Sequence, residues 1–290
     1  MKAGSQAMSV QPGADARRRV LSHLRGHPEV VIGALVVLAW LFVLVFAPLL
    51  APFDPLEQNI ADRLQPPNAT YLLGTDELGR DVLSRVLYGA RITIPAGIAV
   101  IVVNSIVGWL MGAIAGFAGG WWDEILMRTT ELFMAFPTII LAMAITAALG
   151  PAIRNAVIAL VIVRWTDYAR LTRGLIIQAK TTEYVEAARS LGAKNRYLLF
   201  RTLLPNTVTP VVIYGTLDIG NSILLFAGLS FLGLGPEPSS PEWGRMISVG
   251  VSFFDQWWMW LSPGLAVASF VMAFNFIGDG LRDILDPRSS

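Results

Sequence analysis

Residues 30–50 contain no charged side chain. A helix needs roughly 20 mostly apolar residues to cross a bilayer, and this run is long enough. Further apolar stretches occur at about 92–117, 132–149, 152–165, 207–229 and 257–277. The chain of 290 residues is 54% hydrophobic and only 15% charged, whereas soluble domains carry roughly 25% charged residues. Lipid is therefore the expected solvent for much of the surface. The fold expected is an all-α membrane protein of about six transmembrane helices. The fourth stretch is short and must borrow from the amphipathic segment behind it. Its place in the count rests on parity, since six spans return both termini to one side.

Arg17, Arg18 and Arg19 precede the first run and weakly resemble a twin-arginine export signal. The apolar core of a signal peptide is roughly 7–15 residues, and this run is longer, so it reads as a retained anchor. A net charge of +1 gives no support for a strongly basic, nucleic-acid-binding surface. Cysteine is absent, which excludes disulfides and thiolate metal sites. His23 and His27 are the only histidines, both in the polar N-terminal segment. No metal site and no histidine proton relay is expected within the membrane.

Lys and Arg accumulate in cytoplasmic segments. Here they crowd the N-terminal tail (Lys2, Arg17, Arg18, Arg19, Arg25) and the stretch between the fourth and fifth spans (Arg170, Arg173, Lys180, Arg189, Lys194, Arg196, Arg201). Six spans put both regions on the same side. The opposite loops are sparser, with Arg63, Arg80, Arg85 and Arg245. Trp257, Trp258 and Trp260 fall where an outer aromatic belt belongs. Both termini are therefore expected in the cytoplasm. The organisation expected is a tail at 1–29, a membrane domain at 30–287 and a short end at 288–290. Within the membrane domain, 51–91 and 230–256 form outer loops and 166–206 a cytoplasmic loop.

Several features invite a chemical reading. Gly108, Gly112, Gly116 and Gly120 recur every four residues, a stripe on which another helix can approach closely. Packing is the simpler use for it, and lining a pathway the alternative. The segment from Gly174 to Thr181 nearly fits the phosphate-binding pattern G-x-x-x-x-G-K-[ST]. Ala179 stands where the second glycine should be, and the surroundings read as an amphipathic helix, so nucleotide binding is not expected there. Asp76, Glu77 and Asp81 cluster in one segment, and Asp279, Asp283 and Asp286 in another. Neither group has a histidine nearby. The Gly278-Asp279-Gly280 spacing suggests caps and turns rather than catalysis.

Polar residues within the spans are few: Asn104 and Ser105, Asp218 and Asn221, and Asn275. A carboxylate in hydrocarbon is costly, so Asp218 should face protein or water. It can touch a substrate or hold a neighbouring helix. Asn104, Asp218, Asn221 and Asn275 are the candidates for a translocation path. Arg164 and Asp167, three apart, suit an ion pair within one helix.

The loop from Glu183 to Asn206 is the most informative stretch. Glu186, Ala187 and Ala188 favour helix, Gly192 breaks it, Asn195 can cap a second helix, and Pro205 opens the fifth span. A short helix of small residues with one charge, followed by a turn, suits a groove on a soluble partner. By shape alone, docking and mere connection are equally open.

Glu186-Ala187-Ala188, Gly192 and Leu204-Pro205 resemble the EAA loop of ABC-importer permeases. Residues 73–85 (LGTDELGRDVLSR), Leu229 to Gly235 with Pro241-Glu242-Trp243-Gly244, and Asn275 to Pro287 are similar to three further signatures of the dipeptide, oligopeptide, glutathione and nickel branch. The resemblance spans roughly residues 30–287 and implies a type I importer fold in a bacterial inner membrane. It also implies a non-enzymatic subunit that forms the path with a sister permease. Two cytoplasmic ATPases would bind ATP and Mg, and an extracytoplasmic binding protein would deliver substrate. This chain would bind no cofactor. Glu186, Ala187, Ala188, Gly192 and Pro205 would form the coupling element. Family frequency favours short peptides as cargo. The alternative, an ATP-independent transporter or channel, would have to rest on Asp218 and leaves the EAA-like loop without a use.

Overall fold

A computed structural model describes residues 28–285, with side chains through residue 280. Among the described residues every regular element is helical. The α-helices are α1 (Pro28–Leu50), α2 (Val82–Ala118), α3 (Gly120–Met134), α4 (Thr138–Leu149) and α5 (Ile153–Lys180), then α6 (Glu183–Ser190), α7 (Asn195–Tyr197), α8 (Leu204–Leu229), α9 (Trp243–Val251) and α10 (Trp257–Leu285). Among the described residues, four helical stretches are long and apolar enough to cross a membrane: α1, α2, the continuous run Asn195–Leu234 that contains α8, and α10 over Trp257–Gly280.

The third and fourth expected spans take different forms. Residues 132–149 are not one helix: α3 and α4 meet at 89°, because Pro137 lacks a backbone N–H and pushes the residue before it out of helical geometry. The 152–165 stretch is the upper part of α5, whose 28 residues reach about 42 Å. Arg164, Asp167, Arg170, Arg173 and Lys180 along it break the apolar signal that length alone would have given. The fifth span begins earlier than expected, because π-helical Leu198–Leu203 joins α7 to α8 without a break.

Glycine sets the closest helix packing. A methyl group added to Gly108 or Gly112 would overlap the backbone of α5 at Trp165 or Ala169, and one at Gly116 would press on Ile176. Three members of the stripe therefore bring α2 against α5. Gly120 is not a fourth member: α2 ends at Ala118, and Gly119 and Gly120 form a positive-φ turn (65° and 53°). Gly278 and Gly280 likewise do not make the turns expected of them. Both lie inside α10, where Gly278 admits Leu217 of α8 and Gly280 admits Val30 of α1.

The segment between α1 and α2 is an ordered knot. Arg80, only 2% exposed, holds Asp76 at 2.6 Å and Glu77 at 2.9 Å. Burial and the neighbouring Asp76 raise the Glu77 pKa. Asp81 accepts from the Ser84 amide at 2.7 Å and caps α2. Arg85 donates to the carbonyls of Pro55, Ser239 and Ser240, and the Trp258 indole donates to the Thr75 carbonyl. The acidic cluster thus tightens a loop. Opposite it, the fully buried Glu242 caps α9 through the amides of Gly244 and Arg245 and accepts from Thr93 and Ser230. Burial pushes its carboxyl above the usual range. Those bonds tie α2, the end of α8 and α9 together around the buried Trp243.

Candidate functional site

The loop joining α5 to α8 is built as a small projecting platform. Thr181 and Thr182 separate α5 from α6, and the Thr182 carbonyl accepts from the amides of Val185 and Glu186. Glu183 and Glu186 occupy the first turn and Arg189 the last, the charge order that complements a helix dipole. The C-terminus closes with Ala193 N–H donating to Ala188 C=O and Gly192 N–H to Arg189 C=O, both at 3.0 Å. This is the Schellman pair of bonds, which needs a left-handed residue between them. Gly192 supplies it at φ +85°, with no atom within 4 Å of where a Cβ would stand. Conformation, not space, selects glycine here.

One face of α6 is anchored and the other is free. Val185, 1% exposed, packs with Ile176 of α5 and with Leu198 and Leu203 beyond the turn. Outward, Glu186 and Ala187 are exposed, as are Tyr184, Tyr197, Phe200 and Leu191, the last at 88%. Ala188, Leu191, Gly192, Ala193, Lys194 and Tyr197 line a shallow hollow of about 480 Å³. Asn195 begins α7 but does not cap it: Lys194 is the cap residue and makes no side-chain capping bond. Pro205 lies inside the continuous helical run, two residues after the π-helical turn Leu198–Leu203. Next to it Asn206 donates to the Thr202 carbonyl at 2.8 Å and to the Tyr184 hydroxyl at 3.4 Å, tying the start of α8 to α6. The phosphate-loop lookalike runs along α5, and Lys180 donates to the Gly116 and Phe117 carbonyls at the end of α2.

The four polar residues singled out within the spans divide into two kinds. Asn104 is fully buried and Asp218 is 6% exposed. Asp218 accepts from Arg164 at 2.7 Å and from the Tyr168 hydroxyl at 3.1 Å, and Arg164 also donates to Ser222 at 2.9 Å. Asp167, the partner expected for Arg164, also pairs with it, at the longer distance of 3.7 Å. Asn221 and Asn275 are exposed on α8 and α10, which pack through Gly220 on Val271 and Gly278 on Leu217. The Arg164–Asp218 pair was missed in the sequence. Its signal was there: Asp218 is the one charged residue of α8, and a carboxylate inside a span needs a partner.

A bundle of helices long and apolar enough to cross a membrane, with a structured platform projecting between two of them, is the architecture of a polytopic membrane subunit. The chain belongs to the binding-protein-dependent transport system inner membrane components, a family that matches residues 107–290. Residues 15–67 match the N-terminal transmembrane domain of oligopeptide transport permease C. The chain is an inner-membrane permease subunit of an ABC importer. It is 38% identical to a probable D,D-dipeptide transport system permease protein of Escherichia coli, over 100% of this chain and 98% of that one. It is 42% identical to a di/tripeptide transport system permease protein of Pseudomonas aeruginosa, covering 88% and 87%. It is also 42% identical to a glutathione transport system permease protein of Pectobacterium atrosepticum, covering 91% and 88%.

Proposed function

We propose that this subunit imports short peptides with the energy of ATP hydrolysed elsewhere, and that α6 is the element through which that energy arrives. The carrying observation is the α6 platform, with Val185 buried and Glu186, Ala187 and Leu191 exposed. A sister permease completes the path, two cytoplasmic ATPases bind ATP and Mg, and an extracytoplasmic binding protein delivers cargo. The chain itself does no covalent chemistry and holds no cofactor. Glu186, Ala187, Ala188 and Gly192 fit the ATPase surface, and Pro205, just past the π-helical turn, lies where that contact passes into the moving span. Both termini and the α5–α8 loop face the cytoplasm, and 51–91 lies outside. Asn221 and Asn275 are assigned to the path or the sister interface, because an amide in hydrocarbon needs a polar partner. Asn104 and Asp218 are assigned to the interior of the subunit. Peptide cargo follows from the relatives named for dipeptides and di/tripeptides.

The test is uptake by the complete reconstituted complex, with a labelled dipeptide, a longer peptide, glutathione and a nickel chelate offered in competition. ATP-dependent dipeptide uptake supports the reading. Uptake of the nickel species alone contradicts it, and uptake of glutathione alone narrows the cargo to that tripeptide. Uptake unaffected by ATP removal would make the chain an ATP-independent carrier.

A further inference from the structure

We infer that the Arg164–Asp218 ion pair welds α5 and α8 into one lever, so that displacement of α6 turns both spans together. The inference rests on the coupling reading of α6. The two helices stand on either side of that loop: α5 ends at Lys180 and α6 begins at Glu183, while the segment beyond α6 runs unbroken into α8.

The join has the geometry of a brace. Arg164 and Tyr168 are four residues apart on α5, and Asp218 and Ser222 four apart on α8. Arg164 reaches both α8 residues, and Tyr168 returns to Asp218. A single bond would permit swivelling. Three bonds distributed over adjacent turns of both helices oppose sliding and twisting alike. All four side chains are buried or nearly so, so water does not compete for their bonds. A buried ion pair adds little net stability over an apolar pair of the same shape. What it adds is one register.

A second join lies lower on α5. Ile176 packs with Val185, Leu198 and Leu203, and the twelve residues between Arg164 and Ile176 span about 18 Å of helix. Two joins that far apart hold α5 and the start of α8 as a frame. Above the pair, Leu160 and Phe226 lie fully buried in one apolar cluster. A push on α6 then has no soft splay between α5 and α8 to absorb it.

The native chain has no cysteine, so the frame can be locked and unlocked at will. The experiment uses the full complex in proteoliposomes and measures peptide uptake and binding-protein-stimulated ATP hydrolysis. A disulfide between Leu160→Cys and Phe226→Cys, which replace two residues of one buried cluster, should leave uptake within about twofold of the reduced form, because the helices it joins do not part. Loss of uptake on oxidation that reductant restores overturns the weld. The neutral pair Arg164→Gln with Asp218→Asn should retain basal hydrolysis but lose about tenfold in uptake per ATP, a typical coupling energy. Adding the disulfide to it should restore coupling. Unchanged uptake per ATP in the neutral pair, or no rescue by the disulfide, overturns the inference. Should the neutral pair fail to assemble, the disulfide alone decides. Glu186→Lys separates the two readings. If it loses stimulation while the neutral pair keeps its uptake per ATP, only the weld fails; if Glu186→Lys keeps full stimulation, the coupling reading itself falls.

Discussion

Glycines in this chain do different jobs that composition alone does not separate. Gly112 admits the Ala169 carbonyl of α5, Gly192 adopts a left-handed turn, and Gly174 lies in α5 with nothing near it. Gly112→Val should lower the thermal stability of the purified complex by about 1–3 kcal/mol through overpacking. Gly174→Ala should change it by less than about 1 kcal/mol, in the stabilising direction, because only helix propensity is altered. Gly192→Ala should cost about 1–2 kcal/mol, the penalty of a left-handed residue with a Cβ, while leaving helix packing untouched. Thermal unfolding of the three variants checks the order. If Gly112→Val melted with the native protein, the α2–α5 approach would be wrong.

At the level of elements, α6 joins a buried anchor to an exposed face, and the two should respond differently to mutation. Glu186→Lys reverses a charge on the free face and should leave the subunit assembled but its ATPase unresponsive to loaded binding protein. Val185→Asp places a charge among Ile176, Leu198 and Leu203, so it should unseat the platform and reduce the amount of complex recovered. Pull-down yield and stimulated hydrolysis, measured together, separate the two effects. Normal stimulation in Glu186→Lys would remove that residue from the coupling face.

Much of this level was legible in the sequence. Apolar runs marked α1, α2, α8 and α10, and the helix, Gly192 break and Pro205 were each visible locally. The bend at Pro137 was harder, since proline is tolerated within α2, α8 and α10 at Pro95, Pro210 and Pro263. The charges of α5 hid its length. The partner of Arg164 stands 54 residues away, and no periodicity within one helix reveals such a pairing.

For the molecule as a whole, the proposed sidedness rests on the Lys/Arg asymmetry and on the proposed docking of α6 against a soluble ATPase. A Ser190→Cys variant in intact cells should resist an impermeant thiol reagent and react once the membrane is opened, whereas Gln58→Cys should react at once. The reverse pattern would invert the topology. On the proposed function, the α6 platform touches the ATPase and follows its cycle. The direct measurement is cross-linking from Ala187→Cys, with a short thiol-to-amine reagent, in the assembled complex. An adduct with the ATPase subunit is expected, its yield changing between ATP-bound and nucleotide-free states. A complex that hydrolyses ATP and imports cargo yet gives no ATPase adduct from this position would contradict that contact.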